Sequence, residues 1–166
     1  METKLKVGEI QKETEELIVL GLYEDQTGLS KSAGAVEQVL GGLIAQMIGD
    51  GDFKGKSKEL GLLYSSGRET AKRILSVGLG KEGRFDVEAI RVAAGTAARR
   101  ACELGVKKFS SEVLGADLPK VSLAESVQAA EGRTMAILGL GRNGTAVAEM
   151  ARAWNARAGD GFARQP

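Results

Sequence analysis

The apolar run Glu16-Leu-Ile-Val-Leu-Gly-Leu-Tyr23 has no polar residue between Leu17 and Leu22, the pattern of a strand covered on both faces. Before it, Leu5 to Ile10 alternates weakly, as an edge strand does. Gly28 and Ser30 break the run. From Ala33 to Ile48 the apolar positions Val36, Val39, Leu40, Leu43, Ile44, Met47 and Ile48 recur every three or four residues. That spacing predicts one helix with a single stripe against a sheet, ended by Gly49-Asp-Gly51, with Glu37, Gln38 and Gln46 on its outer face. Strands are expected over Leu60–Ser65 and Arg73–Val77, joined like a hairpin through Ser66-Gly-Arg-Glu-Thr70, so the sheet should be mixed. Asp86 is placed to cap a second helix, with Val87, Ile90, Ala94, Ala97, Ala98, Ala101 and Cys102 turned inward. Phe109 to Leu114 reads as a fifth strand, and Ser122 opens a further helix with Glu125 at capping-box spacing.

Composition narrows the class without naming a chemistry. A chain of 166 residues with 43% hydrophobic and 27% charged side chains fits one compact α/β domain. Its 23 glycines and two prolines imply many tight turns. The balance of 23 basic and 22 acidic side chains leaves a net charge of +1, which creates no general field for nucleic acid or an anionic membrane. Arg99-Arg100 and Lys107-Lys108 read as a solvated helix end rather than a phosphate-tracking stripe. Cys102 is the only cysteine, so no internal disulfide can form. No apolar stretch reaches the roughly 20 residues of a membrane span, and Met1-Glu-Thr-Lys-Leu-Lys6 does not read as a signal peptide. A cytoplasmic location is expected.

The block Glu59-Leu-Gly-Leu-Leu-Tyr-Ser-Ser66, then Arg73-Ile-Leu-Ser-Val-Gly-Leu-Gly-Lys81, the small-residue helix Val87 to Leu104 and Val106-Lys-Lys-Phe109 resembles the amino-terminal domain of the leucine aminopeptidase (cytosol aminopeptidase) family. The resemblance covers about residues 1–131. It implies a mixed β-sheet sandwiched between helices, related to the ADP-ribose-binding macro domains, in a metal-dependent exopeptidase that assembles as a hexamer. It also implies that two divalent ions, Zn or Mn, are held by a separate carboxy-terminal domain for which 166 residues leave no room. A noncatalytic assembly domain is therefore expected, whose partners are that catalytic domain and further copies of the protein. Ala130-Glu-Gly-Arg133 echoes four residues of the family's metal-site signature, but Val127, Gln128 and Ala129 stand where it has Asn, Thr and Asp. No metal or catalytic residue is assigned to this chain. With no histidine present, neither a serine nor a cysteine has a conventional base beside it.

Residues 132–158 instead resemble the first β-α unit of a D-2-hydroxyacid dehydrogenase, and 159–166 read as a tail. Gly139, Gly141 and Gly144 match G-x-G-x-x-G after the apolar strand Met135 to Leu140 and before a helix with Val147, Met150, Ala151 and Trp154 on one stripe. Such a turn can hold a pyrophosphate on a helix N-terminus. Two readings stay open: a binding site for NAD or ADP-ribose, or a C-terminal β-α element that only packs. The acidic residue at the right distance, Asp160, has no strand before it. Gly78, Gly80 and Gly83 repeat the spacing, but Asp86 follows them, so they are expected to form a turn beyond the strand ending at Val77.

Overall fold

The computed structural model describes residues 5–115 and 136–139. Six strands form one sheet: β1 (Leu5–Val7), β2 (Leu17–Tyr23), β3 (Leu60–Tyr64), β4 (Arg73–Gly80), β5 (Ser110–Glu112) and β6 (Ala136–Gly139). Their order across the sheet is β1-β6-β5-β2-β4-β3. All neighbours run parallel except β3, which pairs antiparallel to β4 with Leu60 opposite Val77 and Tyr64 opposite Arg73. The mixed sheet and the hairpin-like link of β3 to β4 are as the sequence predicts.

Helices cover both faces of the sheet. On one, α1 (Lys31–Leu40) and α2 (Leu43–Gly49) bury Val36, Leu40, Ile44 and Met47 against Ile18, Leu20, Leu22 and Ile74. On the other, α3 (Val87–Glu103) lays Ile90, Ala93, Ala94, Ala97 and Ala101 against Leu17, Val19, Leu75 and Val77. Alternate residues of β2 and β4 thus feed opposite cores, as the two-residue strand period requires. Each fully buried leucine or isoleucine contributes about 1.5–3 kcal/mol by leaving water. The alanine face of α3 lets it sit close to the sheet. Asp86 caps this helix as expected, its carboxylate accepting from the Ala89 amide at 2.8 Å. Cys102, expected inside, is exposed, while Ala93 takes a buried place the inward stripe had omitted.

Several boundaries move. The helix expected over 33–48 is two helices, broken where Gly41 and Gly42 adopt φ of +68° and +96°. Gly41 ends α1 in the left-handed conformation that glycine enters without penalty. Glu37, expected on a solvated face, reaches across the break, and its carboxylate accepts from the Ile44 and Ala45 amides at 2.8 Å each. Apolar periodicity survives the break, which is why spacing alone does not reveal it. The amino-terminal strand stops at Val7 and passes into a 3-10 turn, Ile10–Lys12, that buries Ile10. The fifth strand is confined to Ser110–Glu112, and β4 runs on to Gly80.

β6 lies inside the sheet, joining β1 on one side to β5 on the other, with Gly139 opposite Val7. The strand expected from Met135 to Leu140 is therefore shared with the sheet of the preceding 130 residues. The expected helices beginning at Ser122 and carrying Val147 to Trp154 lie outside the described residues.

Candidate functional site at the strand ends

In an open parallel sheet, ligands bind beyond the carboxyl ends of the strands where successive connections leave in opposite directions. Here that point lies between β2 and β5: the strands that follow β2 in the chain lie to one side, and β6, which follows β5, lies to the other. Ser30 caps α1 beside it, its hydroxyl accepting from the Ala33 amide at 3.1 Å.

Among the described residues, one acidic side chain bridges this point. Glu112, at the end of β5, is 4% exposed. One carboxylate oxygen accepts from the Gly21 amide of β2 at 2.5 Å, the other from the Ser30 hydroxyl at 3.2 Å. A single side chain thereby ties β5 to β2 and to the cap of α1. After the end of β2, the Phe85 ring meets Tyr23 edge-on, with centroids 5.2 Å apart and planes at 84°. The side chains of Leu79 and Leu114 close over Gly21, at which a Cβ would lie 2.8 Å from each.

The Gly78 and Gly80 positions have a different occupant. Both lie within β4, and Gly83 lies in a 3-10 turn, Glu82–Arg84. The segment 53–59 passes across them like a strap. Gly78 donates to the Glu59 carbonyl at 2.8 Å and Gly80 to the Gly55 carbonyl at 2.9 Å. The Glu59 carboxylate accepts from the Lys54 and Lys56 amides, at 2.9 Å each. A Cβ on Gly78 would fall 1.9 Å from the Lys56 carbonyl oxygen. These glycines admit the strap, not a phosphate. Next to it, on the α2 side of the loop 24–30, an open cleft of about 320 Å³ lies over Leu22 and Phe53.

Of the candidate glycine turn, Gly139 ends β6 in the sheet, while Gly141 and Gly144 lie outside the described residues. Among those residues no three His, Cys, Asp or Glu side chains gather to hold a metal, and no helix is long and apolar enough to cross a membrane. The basic pairs are partly engaged: Arg100 binds Glu103 at 2.9 Å, and Lys108 binds Glu15. That hydrogen bond, with the charges of Glu15 and Glu13, raises the Lys108 pKa against a smaller desolvation effect. The sequence pattern does not mark Glu112, and it places Glu37 on a solvated outer face rather than at the α2 amides. The signal available for Glu112 was one acidic residue closing a short strand before Val113-Leu114-Gly115.

Comparison with known proteins places this architecture. The model of the "Cytosol aminopeptidase family, N-terminal domain" matches residues 19–137. The chain belongs to the cytosol aminopeptidase family. A probable cytosol aminopeptidase of Cyanothece sp. is 35% identical over 104 residues, which is 63% of this chain and 20% of that protein. Its counterpart in Alkaliphilus oremlandii is 32% identical over 117 residues, 70% of this chain and 23% of that protein. The chain thus matches about a fifth of the length of these aminopeptidases. Among solved structures, tomato leucine aminopeptidase superposes with a TM-score of 0.60 at 17% identity, over 84% of this chain and 33% of that one. An Oceanobacillus iheyensis macrodomain with MES bound gives 0.70 at 12%, covering 93% and 92%. A Trypanosoma brucei macrodomain in complex with ADP-ribose gives 0.69 at 16%, covering 90% and 68%. The fold is macro-domain-like. Both the family match and the sheet extend past Glu131, to Ile137 and Gly139 respectively.

Proposed function

We propose that this chain is a noncatalytic assembly domain of a cytoplasmic, metal-dependent leucyl aminopeptidase. The observation that carries this reading is the family match, which is to the amino-terminal domain and spans residues 19–137. The Glu112 side chain supports it, since it bonds across the β2/β5 point, where a sheet of this kind would take a ligand, to the Gly21 amide and the Ser30 hydroxyl. In this reading the domain serves a hexamer built with the catalytic domain, which holds the two divalent metal ions. The domain itself neither touches the scissile bond nor binds nucleic acid.

Grafting this chain in place of the matching segment of the Alkaliphilus oremlandii relative tests the assignment. The graft should sediment as a hexamer and cleave a leucine arylamide when supplied with Mn. A monomeric graft that is well folded would refute an assembly role.

The second reading is a module for NAD or ADP-ribose that uses Gly139, Gly141 and Gly144. What favours it is the spacing of these glycines after a strand and a fold shared with a macrodomain in complex with ADP-ribose. It ranks second because Glu112 braces the neighbouring ends of β5 and β2, and the family match is to an aminopeptidase domain.

A further inference from the structure

The cleft on the α2 side of the loop 24–30 is open to solvent. Its floor is apolar: Leu22 is 2% exposed and Phe53 1%, and Leu29 and Ile48 flank them. Ile48, 40% exposed, is one of two large hydrophobic residues left uncovered among the described residues. The volume of about 320 Å³ is at the lower end of the roughly 300–1,000 Å³ typical of small-molecule sites. It suits a molecule the size of an amino acid or dipeptide, not a dinucleotide.

Two opposite charges share the lining, Glu24 after β2 and Lys54 at the start of the strap. Both side chains are exposed, and neither is hydrogen-bonded or ion-paired to another described residue. Their backbones are fixed: the Glu24 amide donates to the Gly80 carbonyl and the Lys54 amide to the Glu59 carboxylate, each at 2.9 Å. Two opposite charges carried on fixed backbones, lining one cleft without pairing to a described residue, are complemented by a ligand carrying both signs. An ammonium would meet Glu24, a carboxylate Lys54, and an apolar side chain would cover Ile48 and Leu29.

We propose that this cleft binds a small zwitterion with an apolar side chain, a free amino acid or dipeptide of the leucine class. The site goes beyond the assembly role and does not depend on it, because it lies wholly within this chain. Charge-assisted contacts supply selectivity, and Ile48 with the half-buried Leu29 supplies the apolar surface removed from water.

Amide NMR spectra of the full 166-residue chain, titrated with L-leucine, leucinamide and isocaproate, test the proposal. L-Leucine should shift amides of the loop 24–29 and of Ile48 and Lys54 saturably in the millimolar range. Leucinamide, which lacks the carboxylate, and isocaproate, which lacks the ammonium, should each bind about tenfold more weakly, the loss expected for one charge-assisted contact. Glu24→Gln should weaken leucine and leucinamide but leave isocaproate unchanged; Lys54→Gln should weaken leucine and isocaproate but leave leucinamide unchanged. Both substitutions sit at exposed positions, and an otherwise unchanged spectrum would show that the variants fold. No saturable shift, shifts confined to other surfaces, or equal binding of all three ligands would overturn the proposal.

Discussion

Glu112 is the residue on which most of the strand-end geometry turns. Its carboxylate serves the Gly21 amide and the Ser30 hydroxyl at once. Removing it strands the buried Gly21 amide at about 1–3 kcal/mol and frees a half-buried hydroxyl at less. Glu112→Ala should therefore lower unfolding free energy by about 1–4 kcal/mol, whereas Glu112→Gln, which keeps one acceptor oxygen, should lose less than half as much; urea denaturation measures both. The two glycines differ in kind. Gly21→Ala meets the ends of Leu79 and Leu114 side chains, which can turn, so the cost should stay at about 1–3 kcal/mol. Gly78→Ala drives into the Lys56 carbonyl and must lift the strap. It should be the more destabilising of the two, with amide exchange accelerated over 54–59. From sequence, Gly78 and Gly80 show only as a glycine spacing. What they accommodate is a segment some 20 residues earlier, and that contact has no local signature.

At the scale of elements, the sequence displays the strands and the helix faces through their periodicity, and the structure follows it closely in β2, β4 and α3. The continuous run 17–22 and the Asp86 cap carry that information locally. Hidden from it is the break between α1 and α2, because apolar spacing continues through Gly41 and Gly42 while only the backbone changes hand. Glu37 makes the break workable by capping α2 from the preceding helix. Glu37→Ala should uncap the Ile44 and Ala45 amides and cost about 1 kcal/mol, seen as a lower thermal midpoint with faster exchange confined to 43–49. Also not legible was the place of β6. Hydrophobic pattern marks 136–139 as a strand, but not that it pairs with β1, more than 130 residues earlier, and with β5. Short strands at these positions gain their stability from neighbours in the sheet rather than from their own composition.

For the whole molecule, the sheet order, the helices on both faces and the family match describe an amino-terminal domain of a cytosol aminopeptidase with a macro-domain-like fold. The family resemblance was legible because it rests on contiguous blocks, from Glu59 through Phe109. The candidate site was less so, since Glu112, Phe85, Leu79 and the strap come together from separate parts of the chain. In the proposed assembly reading Glu112 braces the strand ends and Gly139 closes β6 within the sheet, with no cofactor bound at the turn that follows. The most direct test is a calorimetric titration of the chain with NAD and with ADP-ribose, following Trp154 fluorescence in parallel. The account predicts no saturable heat and no fluorescence change at millimolar nucleotide. Saturable binding that disappears in Gly141→Val would contradict it and make the carboxy-terminal glycine turn a working nucleotide site.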